Sequence, residues 1–158
     1  MSNLHLVFLD IDGVLNSERM ADVMYGGLET DCVTRLNRIT ADPDVQVVIS
    51  SSWRKHYGVT EIYDQLRVAG FNGRIAGHTP ALDNKTRGEE IALYLRTFPA
   101  RYLRPITSIV VFDDDEDISP LSHRLVRTDY KFGLRDQDID RALAILRDRW
   151  DPDMELPR

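Results

Sequence analysis

The fold is decided by the stretch LHLVFLDIDG at residues 4–13, where an apolar run ends in two aspartates and a glycine. Its first six residues are branched or aromatic apart from one histidine, which is typical of a strand buried on both faces of a parallel sheet. The runs at 45–49 and 109–112 have the same character. The sequence therefore predicts three buried strands, each followed at once by polar residues.

Amphipathic patterns between these runs predict helices. Strands that alternate with helices imply parallel crossovers, so we expect an α/β, Rossmann-like three-layer sandwich whose five-stranded, mainly parallel sheet has helices on both faces. We expect one domain at 1–150 and a frayed tail at 151–158, which has two prolines and alternating charge. The predicted helices are 31–41, 60–69, 87–98 and 136–150, and the shorter predicted strands are 74–76 and 125–128.

Composition sets limits on function. The chain has 158 residues, 42% of them hydrophobic and 29% charged, as in an ordinary globular domain. A net charge of −6 argues against a broad duplex-binding surface, although one strand end could still be gripped locally. Neither a membrane span nor a signal-peptide pattern is found, so a cytoplasmic protein without membrane contact is expected. The single cysteine, Cys32, is expected to be a small buried hydrophobe.

Polar groups follow all three buried runs. Asp10 and Asp12 follow the first, residues 50–54 (SSSWR) the second and residues 113–117 (DDDED) the third. Ligands of open α/β sheets bind at the carboxyl ends of the strands, so these groups should converge. Carboxylates about 4 Å apart repel by roughly 4 kcal/mol per pair at an effective dielectric near 20. Oxygen ligands without a convergent Cys/His set favour Mg²⁺ as the cation that removes this repulsion.

The paired aspartates suit phosphoryl transfer. Asp10 can attack phosphorus, while Asp12, two residues later, can protonate the leaving oxygen and afterwards activate water. Gly13 lets the backbone turn closely around the phosphate.

Other groups would complete such a site. A hydroxyl from residues 50–52 would hydrogen-bond a phosphoryl oxygen. A cation from Lys85 or Arg87, at the start of a helix, would neutralise the developing charge, and Asp113 would complete the metal shell.

These residues resemble the haloacid dehalogenase (HAD) superfamily. Residues 8–16 (FLDIDGVLN) are similar to its first motif, and the serine run to its second. Residues 85–88 (KTRG) stand in the place of the third motif, and 111–114 (VFDD), with Asp117, resemble the fourth. The resemblance spans residue 4 to about residue 146 and covers all four motifs in order.

The resemblance implies a role for each matched residue. Asp10 becomes the nucleophile and a magnesium ligand, and Asp12 becomes the acid/base that also offers its backbone carbonyl to the metal. Asp113 becomes a metal ligand, supported by Asp114 or Asp117. The phosphate-binding serine is Ser51 or Ser52, with Ser51 favoured, and the third-motif cation is Lys85 or Arg87.

A narrower resemblance concerns the substrate. Residues 12–16 (DGVLN), SSWR, RGEEI and the late TDY…GL at 128–134 are similar to small phosphatase domains of bacterial and phage nucleic-acid repair proteins. The Ser52-x-Arg54 spacing resembles the phosphatase half of phage polynucleotide kinase-phosphatase. It implies a phosphorylated nucleotide or polynucleotide end as substrate, in the manner of a 3′-phosphatase, and a separate repair or kinase protein as a candidate partner. For Arg54 two roles stay open, a contact with the substrate phosphate and a salt bridge within the protein.

Two alternatives stay open: a low-specificity phosphatase of small metabolites, and a non-catalytic phosphoacceptor or binding module. The intervals 14–30 and between the second and third motifs leave no room for a large cap domain, which favours a large or chain-end substrate. Arg19, Tyr25 and Arg54 are the predicted contacts beyond the phosphate, since arginine grips phosphodiesters and tyrosine stacks on bases.

Overall fold

A computed structural model describes residues 3–20, 27–97, 102–115 and 117–157 of the protein. Five strands lie side by side in one sheet, and every pairing between them is parallel. They are β1 (Leu4–Leu9), β2 (Val45–Ile49), β3 (Arg74–His78), β4 (Ile106–Asp113) and β5 (Leu125–Arg127). Their spatial order is β3-β2-β1-β4-β5. The predicted five-stranded sheet is confirmed.

The predicted amphipathic patterns form α1 (Thr30–Thr40), α2 (Val59–Val68), α3 (Arg87–Thr97) and α4 (Asp136–Arg147). A short helix that was not predicted, α5 (Pro152–Glu155), lies in the C-terminal tail. The predicted end of the third helix at Phe98 lies outside the described residues. The predicted last helix stops at Arg147 instead of Trp150, because the chain turns there and the Trp150 amide donates to the Thr107 carbonyl at 2.7 Å.

Alternation along β1 builds a core on each face of the sheet. Leu6 and Phe8 pack with α3 residues such as Ile91, whereas Val7 and Leu9 pack with residues of α1, α2 and α4. Successive side chains of a strand point to opposite faces, so one buried strand supplies both layers. The three-layer sandwich is therefore confirmed.

The strand order reverses at β1, and this reversal positions the site. β2 lies on one side of β1 and β4 on the other. Beyond the strand ends the ladder continues for one residue: the Asp10 amide donates to Phe112 O at 3.0 Å, and the Ser50 amide donates to Leu9 O at 2.8 Å. Asp10 thus lies between the ends of both neighbours, at the switch point where α/β sheets bind ligands.

The C-terminal tail packs against the domain, in contrast to the fraying expected from its prolines and charges. Leu156 is only 8% exposed within the core on the α3 face. Glu155 accepts hydrogen bonds from Arg124 at 2.7 and 2.8 Å, and Arg124 lies 5.7 Å from the Trp150 ring centre. Burial opposes ionisation, but the bonds from Arg124 and His123 lower the pKa of Glu155 to about 2. One apolar side chain and one buried ion pair hold the tail.

The intervals between the motifs contain no large cap. Twenty residues, 10–29, separate β1 from α1, and the chain between β2 and α3 is occupied by α2 and β3 of the sandwich itself. The side of the sheet with the strand ends is therefore not covered by a large cap, as expected. Among the described residues, no helix combines the length and apolar character that crossing a bilayer requires.

Candidate active site

Three carboxylates meet at the switch point. Asp10, Asp113 and Asp114 each offer an oxygen, and these oxygens lie within 4.8 Å of one another. Asp10 is 6% exposed and Asp113 is 2% exposed. The parallel register is the cause, since Leu9 pairs with Phe112 and the two aspartates follow directly. Three of the four predicted metal residues therefore converge through their side chains.

Burial makes ionisation of these carboxyl groups less favourable. Burial, and next the neighbouring Asp113, raise the pKa of Asp10 well above its usual value, while Arg87 opposes the rise. Burial likewise raises the pKa of Asp113 to about 6, again against the effect of Arg87. Both shifts favour the protonated carboxyls, so a further cation at the cluster would favour ionisation, and its binding would be coupled to proton release.

The cluster fits Mg²⁺ by its donors. The grouped side chains are all carboxylates, and neither histidine nor cysteine joins them within the described part of the chain. Hard oxygen donors of this kind suit Mg²⁺, which retains several waters as ligands. Gly13 makes room for the third carboxylate: its φ is +77°, and a Cβ there would come within 2.5 Å of Asp114 Oδ2. Any other residue at position 13 would collide with that carboxylate.

Arg87, and not Lys85, lies at the carboxylates. Its NH1 group is 3.4 Å from Asp10 Oδ1 and 3.1 Å from Asp113 Oδ2, and it also donates to the Ser50 carbonyl. Burial alone would lower the pKa of Arg87, but the two carboxylates raise it above its usual value. The Lys85 ammonium lies 3.9 Å from Glu89 on the surface, with half of its side chain exposed. These positions favour Arg87 for the third-motif cation.

Asp12 is held by two donors that sequence reasoning did not assign to it. Asn16 Nδ2 donates to Asp12 Oδ1 at 2.9 Å, and Trp53 Nε1 donates to Asp12 Oδ2 at 3.0 Å. Asn16 also accepts from the Gly13 amide at 2.9 Å through its Oδ1. Trp53 also packs in the core: it is 5% exposed, and its ring centre lies 5.2 Å from that of Tyr57. The i,i+4 spacing of Asp12 and Asn16 was the available signal for one of these contacts.

The serine run contributes two buried hydroxyls. Ser51 is fully buried, and its Oγ accepts from the Trp53 amide at 3.2 Å, which leaves its own proton free to donate. Ser50 is 1% exposed, and its Oγ has no hydrogen-bond partner among the described residues. Ser52, the other predicted phosphate ligand, is exposed. Burial beside Arg87 makes Ser50 an additional candidate, because a buried hydroxyl without a partner is rare.

Arg54 lies in a buried salt bridge. Its side chain is 3% exposed, with NH2 2.8 Å from Glu90 Oε2 on α3. NH1 donates to Pro80 O at 2.9 Å and to Thr79 O at 2.7 Å, and Nε donates to Ser51 O. Burial lowers the pKa of Arg54, and Glu90 opposes that shift. These contacts favour the salt-bridge alternative over the predicted phosphate contact, and they tie the loops after β2 and β3 to α3.

The remaining predicted contacts are distributed as follows. Arg19 is paired with Glu29, to which its Nε donates at 3.0 Å. Tyr25 lies outside the described residues. Asp117 is exposed and donates its amide to Asp115 Oδ1 at 3.0 Å. Asp114 is therefore the better placed of the two supporting carboxylates of the fourth motif.

This sheet, with carboxylates from β1 and β4 and a cation from α3 at its switch point, defines a HAD-type domain without a large cap. More specifically, a family model described as the HAD domain in Swiss Army Knife RNA repair proteins matches residues 6–139, and the chain belongs to this family. Membership confirms the predicted resemblance to HAD domains of nucleic-acid repair and indicates phosphatase-type hydrolase activity in general. Searches of curated proteins and of solved structures gave no significant match.

Proposed function

We propose that this protein is a Mg²⁺-dependent phosphomonoesterase that removes the terminal phosphate of a polynucleotide through an aspartyl-phosphate on Asp10. The observation that carries the proposal is the constellation at the switch point. Asp10 is buried beside Asp113 and Arg87, and Asp12 is oriented by two hydrogen bonds. A nucleophile, a separately held acid and a fixed cation are the parts that such a phosphoryl transfer needs.

In the first step a carboxylate oxygen of Asp10 attacks phosphorus. The new bond joins Asp10 to the phosphoryl group as the bond from phosphorus to the leaving oxygen breaks. Asp12 gives its proton to that oxygen, so the product leaves as an alcohol. Arg87 and a hydroxyl of Ser50 or Ser51 stabilise the phosphoryl oxygens during transfer.

In the second step water attacks the phosphoryl group on Asp10. Asp12, now ionised, accepts a proton from that water, and the bond between Asp10 and phosphorus breaks to release inorganic phosphate. The Trp53 and Asn16 hydrogen bonds keep the Asp12 carboxylate in one orientation for both proton transfers.

Asp10, Asp113 and Asp114 would hold the metal through their side chains, and Asp12 through its backbone carbonyl. When bound, Mg²⁺ would neutralise charge on the carboxylates and on the phosphoryl oxygens. Arg87 opposes but does not cancel the rise in the pKa of Asp10 caused by burial and Asp113, so the added charge of Mg²⁺ would favour the ionised nucleophile.

Two observations support a polynucleotide end over a small metabolite. The family is described by its occurrence in RNA repair proteins. The intervals between motifs contain no large cap that would enclose a small substrate. An RNA 3′-phosphate is the substrate that we propose to test first, and a separate repair or kinase protein as partner stays a prediction.

The test is phosphate release from 3′- and 5′-phosphorylated oligoribonucleotides and oligodeoxyribonucleotides, matching mononucleotides and sugar phosphates, in Mg²⁺. We expect the highest kcat/KM on one class of oligonucleotide end, with Asp10→Asn as the inactive control. Equal rates on all substrates, or a preference for sugar phosphates, would favour the low-specificity alternative. No hydrolysis of any substrate in Mg²⁺ would instead support the non-catalytic alternative.

A further inference from the structure

Two exposed aromatic side chains lie on the loop that follows β5, here called the β5 loop and defined as residues 128–134. Tyr130 is 44% exposed and Phe132 is 53% exposed. Every other aromatic side chain in the described part of the chain is buried or half-buried. Scattered surface hydrophobes need no explanation, but exposed aromatic rings on one loop are a feature of binding surfaces.

The β5 loop is fastened to the turn that carries the catalytic aspartates. Three hydrogen bonds join the loop to residues 13–18: Thr128 Oγ1 to Gly13 O at 2.6 Å, Leu134 N to Val14 O at 2.8 Å, and Glu18 N to Tyr130 O at 2.8 Å. Gly133 has a φ of +65°, and a Cβ there would come within 2.9 Å of Asn16 O. The loop therefore borders the active site.

The loop lies on the side of the leaving group. Asn16, whose backbone touches Gly133, holds Asp12 through its side chain. Because Asp12 protonates the leaving oxygen, the alcohol product must extend past this residue. For a polynucleotide end that alcohol is the rest of the chain, which would pass over the β5 loop.

Basic residues flank the β5 loop. Within the loop the charges of Lys131 and Asp129 balance, and with Arg127 and Arg135 on either side the segment 127–135 has a net charge of +2 in a chain of −6. The Arg135 guanidinium lies 5.0 Å from the Phe132 ring centre. Aromatic rings interleaved with cations are the pattern that binds single-stranded nucleic acid by stacking and backbone attraction.

We propose that the β5 loop binds the single-stranded segment next to the phosphorylated end, with bases stacked on Tyr130 and Phe132 and phosphodiesters near Lys131 and Arg135. The inference rests on the proposed function and specifies which part of the substrate the β5 loop binds. Stacking tolerates any base, so the preference should be for single strands and not for a sequence.

The first test uses the ratio of kcat/KM for a 3′-phosphorylated single-stranded oligoribonucleotide to kcat/KM for phenyl phosphate. Tyr130→Ala and Phe132→Ala should each lower this ratio about 5- to 100-fold, the range expected for one lost base-stacking contact. Tyr130→Phe keeps the ring and should retain most of the ratio. Met154→Ala is the matched control, because Met154 is 82% exposed in α5, which binds Arg124 at the opposite end of β5 from the loop.

The second test measures binding without hydrolysis. Asp10→Asn protein should bind a fluorescent unphosphorylated oligoribonucleotide more weakly when Phe132→Ala is added, and both affinities should fall with salt. If both alanine variants kept the ratio of kcat/KM values and the affinity for the oligoribonucleotide, the inference would be overturned. The exposed rings would then be assigned to a protein partner. If the wild type hydrolysed no oligonucleotide end, the proposed function would fail, whereas the binding measurement would still decide the role of the loop.

Discussion

Replacing Trp53 with phenylalanine tests whether the indole N–H positions Asp12, the proposed general acid. The substitution removes the 3.0 Å hydrogen bond to Asp12 Oδ2 and keeps an aromatic ring in a site that is only 5% exposed. A hydrogen bond to a charged group contributes about 1.5–3 kcal/mol, an upper bound here because Asn16 still holds the other oxygen at 2.9 Å. We expect a loss of about 10- to 100-fold in kcat for an alcohol leaving group.

The assay is single-turnover formation of phosphoenzyme, measured with two substrates. 4-Nitrophenyl phosphate has a leaving oxygen that needs little protonation, so Trp53→Phe should slow its phosphoryl transfer far less than that of an alkyl or ribose phosphate. Hydrolysis of the phosphoenzyme should slow with both substrates, because Asp12 also activates water in the proposed mechanism.

The control is Trp150→Phe. Trp150 is the only other tryptophan and is equally buried, but it packs in the α3-side core beside Arg124. This variant should match Trp53→Phe in lost packing without any dependence on the leaving group. If Trp53→Phe slowed phosphoenzyme formation equally with both substrates, Trp53 would have only a packing role and the positioning argument would be refuted.

Four further outcomes are expected. Asp10→Asn should abolish both turnover and phosphoenzyme, since an amide is a poor nucleophile; near-normal hydrolysis by the purified variant would contradict the assignment. Chelation should stop the reaction and Ca²⁺ should inhibit it, because its larger, irregular coordination misplaces Asp10; full activity with a site shown to be metal-free would refute this. Burial raises the pKa of Asp113 from 3.8 to about 6, so metal-free protein should lose stability as pH rises through that interval. Mg²⁺ should then raise the melting temperature more at about pH 7.5 than at about pH 5, and an equal shift would count against proton-linked binding. Glu155→Gln should lower the free energy of unfolding near neutral pH, and the deficit should shrink as pH falls from 4.5 towards 2; a constant deficit in denaturant titrations would show that the charge of Glu155 contributes nothing.

The features best predicted from the sequence are those that depend on a local pattern of residues. The apolar runs of β1, β2 and β4 are long enough to identify buried strands, and the polar residues after them had to meet once the strands were parallel. Asp10 and Asp113 follow from that rule alone. The order of the HAD motifs added the expected roles.

Contacts between distant segments were harder to foresee. Lys85 and Arg87 lie two residues apart at the start of the same helix, and only the position of α3 against β1 and β4 decides which cation reaches the carboxylates. Arg54 was ambiguous because its partner, Glu90, lies 36 residues away on α3. The Trp53 N–H meets Asp12 across 41 residues, and a tryptophan's packing pattern carries no sign of where its one donor points.

The β5 loop also affects how this fold can diversify. Its three attachments to the Asp12 turn end on main-chain carbonyls, and only Thr128 uses a side chain in them. Selection can therefore exchange the side chains at positions 130–132 without disturbing the geometry of Asp12, whereas residues 50–54 are constrained by the Arg54–Glu90 pair that joins three segments. Among relatives of this protein, changes in the substrate segment proposed to bind here should accumulate in the β5 loop while the serine segment stays fixed.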